Sequence, residues 1–359
     1  MWKLPSLKKN KPPWHTSHDL NMVFEKIVSD SGRVFGPGVV KSDAGTITPS
    51  NSLRRYVESG WAYDKVDWFQ FEGCHVNSTS GVVFHRPTGS FFVDFHWGWG
   101  KPRSALRPKF DPLRIDKVRS QDPFLMVTGN GYHGVIEDIP NALKLKAEFK
   151  DLKLATSRPN GWVHQLLISL GVPEDDFIFL TQNRWIDSCN FVAATKSSFG
   201  EFVNAEGIKY LSKKSIATES MKASKNRFDS MGTEKKSNQK IYVSREKSSS
   251  RWFSAEREVK ALFEDYGFRS IYLEELAVKD QIKMFSDASF VAGFHGAGLV
   301  NLVFSEPNIK VLELYHSNKI NPCYLALCTV RGHQYSNFEV AENFANKGSL
   351  NTLLDKLLK

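Results

Sequence analysis

The chain has 359 residues, of which 41% are hydrophobic and 24% charged, an ordinary soluble composition long enough for two domains. No apolar run is long enough to span a bilayer, and four scattered cysteines are too few for a disulfide scaffold or a zinc knuckle. The formal charge of +9 suits a partner carrying phosphate, but the charge is spread out and no zinc-finger, RRM or KH signature accompanies it, so no nucleic acid is expected.

The N-terminus is basic from Met1 to Pro13 but has no apolar segment behind its charges, so it does not read as a secretory signal. A cytoplasmic protein is expected, with the Trp2-bearing basic segment suited to peripheral contact with an anionic membrane. Asn77-Ser78-Thr79 fits a glycosylation sequon and is read as chance. Residues 1–45 read as a lead-in with one short helix near Asp19 to Ser29. From Ser59 to Gly98 aromatic and β-branched runs bounded by turn formers predict strands. The His96-Trp97-Gly98-Trp99-Gly100 cluster reads either as a platform for stacking carbohydrate or as a packed corner.

Phe124 to Thr128 is a predicted strand, followed by a glycine-rich loop through Gly134 and a helical pattern from Val135, with Pro140 tolerated near its start. His133 would lie just before that helix, and Glu137, four residues on, would share its side. The pair reads as a general base with its orienting acid, or as a helix cap with a solvated acid. A strand at Leu152 to Leu154, a helix from Gly161 to Gly171 and strands at Phe177 to Leu180 and Asn190 to Ala194 come next. Lys209 to Gln239 is polar; a helix near Ala217 to Asp229 and then a linker are expected. The domain boundary is placed at 235/236.

The second half alternates: strand Lys240 to Ser244, helix Ala255 to Tyr266, strand Arg269 to Leu273, helix Val278 to Ala288. A buried strand then runs into Gly293-Phe294-His295-Gly296-Ala297-Gly298 and the first turns of a helix. Strands at Lys310 to Leu314 and Gln334 to Phe338 complete the domain at residue 345, and a final helix from Leu350 to Leu358, in a segment 346–359, is drawn as crossing back to the first domain. This order predicts a parallel sheet with helices on both faces, whose ligands bind beyond the carboxyl ends of the strands. Arg245, Glu274, His295 and Glu313 all fall at or near those ends. The glycine spacing is not the dinucleotide fingerprint; it reads as bare backbone open to a phosphate at a helix N-terminus, or as a turn whose glycines only satisfy packing.

Ser244-Arg245, Arg251, Glu256, Gln281-Ile282, His295-Gly296-Ala297-Gly298-Leu299, Asn301 and Glu313 together resemble glycosyltransferase family 61. Its members include plant xylosyl- and arabinosyltransferases and animal O-linked N-acetylglucosaminyltransferases. The resemblance is specific over about residues 240–316, looser over 120–235 and absent before that. The chain departs from the family at Ala255, where Asn is usual, and in the Ser-rich loop from Glu246 to Ser250.

The resemblance implies a GT-B arrangement of two Rossmann-like domains facing across a cleft, and inverting transfer from a nucleotide sugar, UDP-linked, to a glycan or glycolipid hydroxyl. Arg245 and Arg251 would each lay a fork of donors on phosphate oxygens. The amides of Gly296, Ala297 and Gly298 would add to them, His295 would donate to the leaving phosphate or hold the turn, and Glu313 would accept from ribose hydroxyls or be a buried helix-capping acid. Glu274 and Asn301 complete the donor side, and His133 with Glu137 supplies the base. Charge counting requires no divalent metal, and no Asp-x-Asp motif stands out. A catalytically silent nucleotide- or sugar-binding module is the alternative.

Overall fold

The computed structural model describes residues 14–15, 28–35, 38–40, 47–48, 53, 61–63, 65–71, 74–85, 90–92, 115–118, 122–127, 131–188, 190–194, 204–215, 238–247, 253–316 and 321–359. The chain is α/β and divides into two compact units, one made of Met1–Gly36, Asp64–Ile168 and Val172–Phe199, the other of Pro37–Tyr63, Ser169–Gly171 and Gly200–Lys359. Among the described residues no helix is long and apolar enough to cross a membrane.

The first unit holds two six-stranded sheets. One is ordered Phe177–Phe179, Lys153–Thr156, Phe124–Met126, Phe191–Ala194, Val66–Phe71 and Val28–Phe35. Its first four strands are mutually parallel and the last two add antiparallel. Phe71, Phe124, Ala155 and Phe191 from this sheet bury against Val76, Val83 and Ile186 from the other, so the two share a core. Of the helix expected from Asp19 to Ser29, only Val28 and Ser29 are described, and they lie in a strand because the segment pairs with Val66–Phe71. Residues 96–100 and 217–229 lie outside the described residues; the helix described in that polar region spans 205–215. Asn77 is buried, and its Oδ1 accepts from the Thr79 and Ser80 amides at 3.1 and 2.9 Å, an Asx turn that keeps the sequon inside the fold.

The second unit is a parallel sheet built from β1 (Gln239–Val243), β2 (Arg269–Ile271), β3 (Ala288–Phe294), β4 (Lys310–His316) and β5 (Gln334–Val340). The helices are α1 (Glu256–Asp265), α2 (Val278–Asp287), α3 (Cys323–Arg331) and α4 (Lys347–Leu358). Spatial order is β2-β1-β3-β4-β5, and Ile47–Thr48 from the lead-in adds a sixth parallel strand beside β5. The Gln239–Val243 and Ala288–Phe294 strands are therefore where the winding direction reverses, which opens a crevice above their carboxyl ends.

Strand period sets the faces. Phe290, Ala292, Phe294, Leu312 and Leu314 point to one side, where Val259, Leu262 and Phe263 of α1 cover them. Leu350 and Leu354 of α4 join the same cluster, so the terminal helix packs in the second unit's own core, and Tyr266 donates to Asp355 at 2.9 Å. The α3 helix is absent from the sequence reading because Cys323 to Cys328 are all buried, leaving no apolar stripe to betray a period of 3.6.

Candidate functional site

The crevice between β1 and β3 gathers the residues the sequence singled out in this half. Beyond β1, Ser244 is buried and Arg245 half-buried. Their backbone is held by Glu256 at the start of α1, whose Oε1 accepts from the Arg245 amide at 2.9 Å, the Ser244 hydroxyl at 3.0 Å and the Tyr242 hydroxyl at 3.2 Å. Burial raises the Glu256 pKa against the pull of those donors. So anchored, Arg245 sends Nη1 to the carbonyl oxygen of His295 at 2.6 Å, joining the two strand ends.

Beyond β3 the turn is drawn tight. Gly296 is extended, with φ 173° and ψ 167°. A Cβ there would stand 2.3 Å from Arg245 Nη1, and one on Gly298 would stand 2.6 Å from Leu273 Cδ1. A side chain at either position would displace the end of a flexible neighbour, the Arg245 guanidinium or the Leu273 methyl, so these glycines serve the protein's own packing, which is the packing half of the sequence reading. The backbone donors nevertheless stay open: among the described residues no carbonyl accepts from the N–H groups of Gly296, Ala297 or Gly298. The turn leads into a 3₁₀ segment, Ala297–Phe304, in place of the expected α-helical turns. The interior of this segment is fixed by Asn301, whose Nδ2 donates to the Gly298 carbonyl and to Gln281 Oε1, each at 3.2 Å.

Three assignments change on contact with this geometry. Glu313 does not end its strand: β4 runs on to His316, and the Glu313 carboxylate is 0% exposed. Its Oε1 meets His295 Nδ1 at 2.6 Å, and its Oε2 accepts from the Tyr315 hydroxyl at 2.8 Å and the Tyr335 hydroxyl at 2.5 Å. A carboxylate already engaged on both oxygens and sealed from solvent cannot reach a ribose; it orients the His295 ring instead. Burial beside this carboxylate drives both tyrosine pKa values upward. Asn301 is likewise buried and acts on the turn from beneath, so it is not a direct ligand. His133 does not precede its helix but closes a first turn, Gly131–His133, that a π-helical turn, Gly134–Asp138, continues into Ile139–Glu148. The Ile139 amide bonds to the Gly134 carbonyl, five residues back, and the widened turn accommodates Pro140, which has no N–H to give.

Glu274 lies exposed on the 3₁₀ turn Leu273–Glu275 after β2, a turn that Gln281 Nε2 pins through the Leu273 and Leu276 carbonyls at 3.0 and 3.1 Å. Arg251 lies outside the described residues. The His295 ring, 21% exposed, stacks on Tyr315 at 5.4 Å and takes the edge of Tyr324 at 5.4 Å. In the first unit His133 Nδ1 stands 3.6 Å from Glu137 Oε2, the carboxylate 3% exposed. Sequence reasoning misses these tyrosines. Tyr315 is within its reach, since residues two apart on a strand share a face and Glu313 already marks that face. Among the described residues no group of three or more His, Cys, Asp or Glu is arranged to hold a metal ion.

A parallel doubly wound sheet with a guanidinium, an imidazole and main-chain amides gathered at its switch point is an α/β fold of the kind whose ligands lie beyond the strands' carboxyl ends. Comparison with known proteins agrees with the residues that meet there: Glycosyltransferase 61 matches residues 83–312, well over half the chain, and this protein belongs to that family. Among curated relatives, the beta-1,2-xylosyltransferase of Arabidopsis thaliana is 28% identical over 87 residues, covering 24% of this chain and 16% of the relative. Beta-1,2-xylosyltransferase RCN11 of Oryza sativa subsp. japonica is 30% identical over 82 residues, covering 23% of this chain and 15% of the relative. The aligned stretch thus spans only about a sixth of the length of either relative.

Proposed function

We propose that this protein is an inverting glycosyltransferase that moves a sugar, a pentose in keeping with its similarity to xylosyltransferases, from a UDP-linked donor to a hydroxyl of a glycan or glycolipid. The observation that carries the reading is the meeting of Arg245 with the His295–Gly298 turn at the switch point. There a departing diphosphate would find guanidinium donors, the His295 ring and main-chain amides together. Charge-assisted hydrogen bonds contribute about 1.5–3 kcal/mol each, so a few that strengthen as the leaving group gains charge supply a substantial part of a rate enhancement. This donor set meets the developing charge without a divalent metal, and Arg251 is assigned to the same anion.

In this reading the acceptor hydroxyl gives its proton to His133, oriented by Glu137, as its oxygen bonds to the anomeric carbon. The bond from that carbon to the diphosphate breaks, and the electron pair leaves on phosphate. Because the base comes from one unit and the donor residues from the other, a GT-B arrangement belongs to the same proposal. So does work in the cytoplasm, at a membrane surface when the acceptor is lipid-linked. Incubation with a panel of UDP-, GDP- and CMP-sugars, and then assay of released nucleotide, tests it. Release from a UDP-sugar is expected. Tight binding with no release from any donor would favour a silent binding module.

A further inference from the structure

Tyr324 belongs to no motif, lies beyond the residues matched by the family, and sits on the helix that sequence periodicity conceals. Yet it is buried, and its hydroxyl donates to the Gly296 carbonyl at 2.5 Å. The neighbouring carbonyl, that of His295, is taken by Arg245 Nη1 at 2.6 Å. Two successive peptide groups of the turn are therefore held by their oxygens, from α3 and from the end of β1.

Holding the oxygens fixes the amides. A trans peptide is planar, so its N–H points opposite to its C=O. Because Gly296 is extended, with φ 173° and ψ 167°, the Ala297 N–H projects to the same side as the His295 carbonyl. That side is where the Arg245 guanidinium lies. The Gly296 carbonyl also accepts from the Leu299 amide, at 3.1 Å the longer of its two bonds; without the Tyr324 hydroxyl that bond alone would hold the Gly296–Ala297 peptide, which could then tilt and carry its N–H away from Arg245. Ala297 is exposed and begins the 3₁₀ segment, and no carbonyl accepts from its N–H among the described residues.

We infer that Tyr324 is a positioning residue of the anion site: it pins the Gly296 carbonyl so that the Ala297 amide and the Arg245 guanidinium converge on one phosphate group of a nucleoside diphosphate. The inference rests on the nucleotide-sugar reading and adds the residue that sets the geometry of the site.

Calorimetric titration with UDP and with inorganic pyrophosphate tests it on the wild type, Y324F, A297P and the double variant, with thermal unfolding of each. Y324F removes the hydroxyl alone. A297P removes the amide donor at a first helical position, where proline fits. Each single variant is expected to weaken UDP binding about 10-fold, the scale of one hydrogen bond to a charged group, with little change in melting temperature. The double variant should bind no more weakly than A297P, because the hydroxyl acts only through that amide. Wild-type affinity in Y324F overturns the inference and leaves the donor reading standing. Losses that multiply in the double variant, or a Y324F loss with A297P binding normally, also overturn it. A wild type that binds neither UDP nor pyrophosphate sinks the donor reading and the inference together.

Discussion

Each unit sets a histidine against a buried glutamate, and the two pairs are built in different ways. His133 and Glu137 lie on one helical segment, four residues apart, with 3.6 Å between Nδ1 and Oε2. His295 and Glu313 come from neighbouring parallel strands, 18 residues apart in sequence, and meet at 2.6 Å. In the first pair the spacing is set by a π-helical turn, a form that recurs at functional sites, and the ring packs edge to face with Tyr132 at 5.2 Å. In the second, Tyr315 and Tyr335 hold the far oxygen of the carboxylate, and the ring is stacked on Tyr315, so nothing there can move alone. The short pair, sealed behind two tyrosines, suits a fixed charge environment for a leaving group, and the longer one is the pair proposed as the base.

The largest expected effect breaks the first pair. H133A should lower turnover by about 10²–10⁴-fold, the usual contribution of general base catalysis, while UDP affinity stays near wild type. Initial rates paired with calorimetry check this, and a variant that keeps wild-type turnover ends the assignment.

Breaking the second pair should register in folding. Glu313→Gln puts a donor amide in place of one of the two carboxylate oxygens that an imidazole and two tyrosine hydroxyls share. Leaving that buried network unsatisfied should cost about 2–4 kcal/mol in urea unfolding. Glu137→Gln, within a single helix, should cost under about 1.5 kcal/mol. Equal losses in the two variants would erase the contrast drawn between the pairs.

A smaller effect sharpens the comparison through a third histidine. His333, buried in the second unit, donates from Nε2 to the Leu302 carbonyl at 3.1 Å, and burial lowers its pKa to about 4. The folded state therefore resists a proton that the unfolded chain accepts, so stability is full above the unfolded value of 6.5 and is lost as pH falls toward 4. Between pH 6.5 and 5 the loss should be roughly 2 kcal/mol, at about 1.4 kcal/mol for each pH unit. His333→Gln, which keeps a donor and cannot titrate, should flatten that slope when unfolding is followed across the range. An unchanged slope would assign the acid sensitivity elsewhere.

Much of the second unit is legible in the chain because it is local. The β-α alternation there comes from apolar runs and helical stripes, and Arg245 and His295 can be placed beyond their strands by reading where those runs stop. The Arg245–His295 contact needs the sheet order, which brings β1 and β3 side by side although β2 lies between them in sequence. Glu313 reads wrongly from sequence because its strand continues through Leu314, Tyr315 and His316, and a strand's length depends on its neighbour: β5 pairs with it as far as His316. Tyr324 is invisible for a different reason, since a helix buried all round from Cys323 to Cys328 has no periodic signature and its hydroxyl finds a backbone atom, which carries no residue type to recognise.

Whether the switch point holds a diphosphate through Arg245, as proposed, is decided by UDP titration of the wild type beside R245A. Saturable binding by the wild type is expected, with a loss of about 30-fold or more in R245A, the scale of a guanidinium contact to an anion, and only partial recovery in R245K. Undiminished affinity for UDP in a folded R245A protein would contradict it.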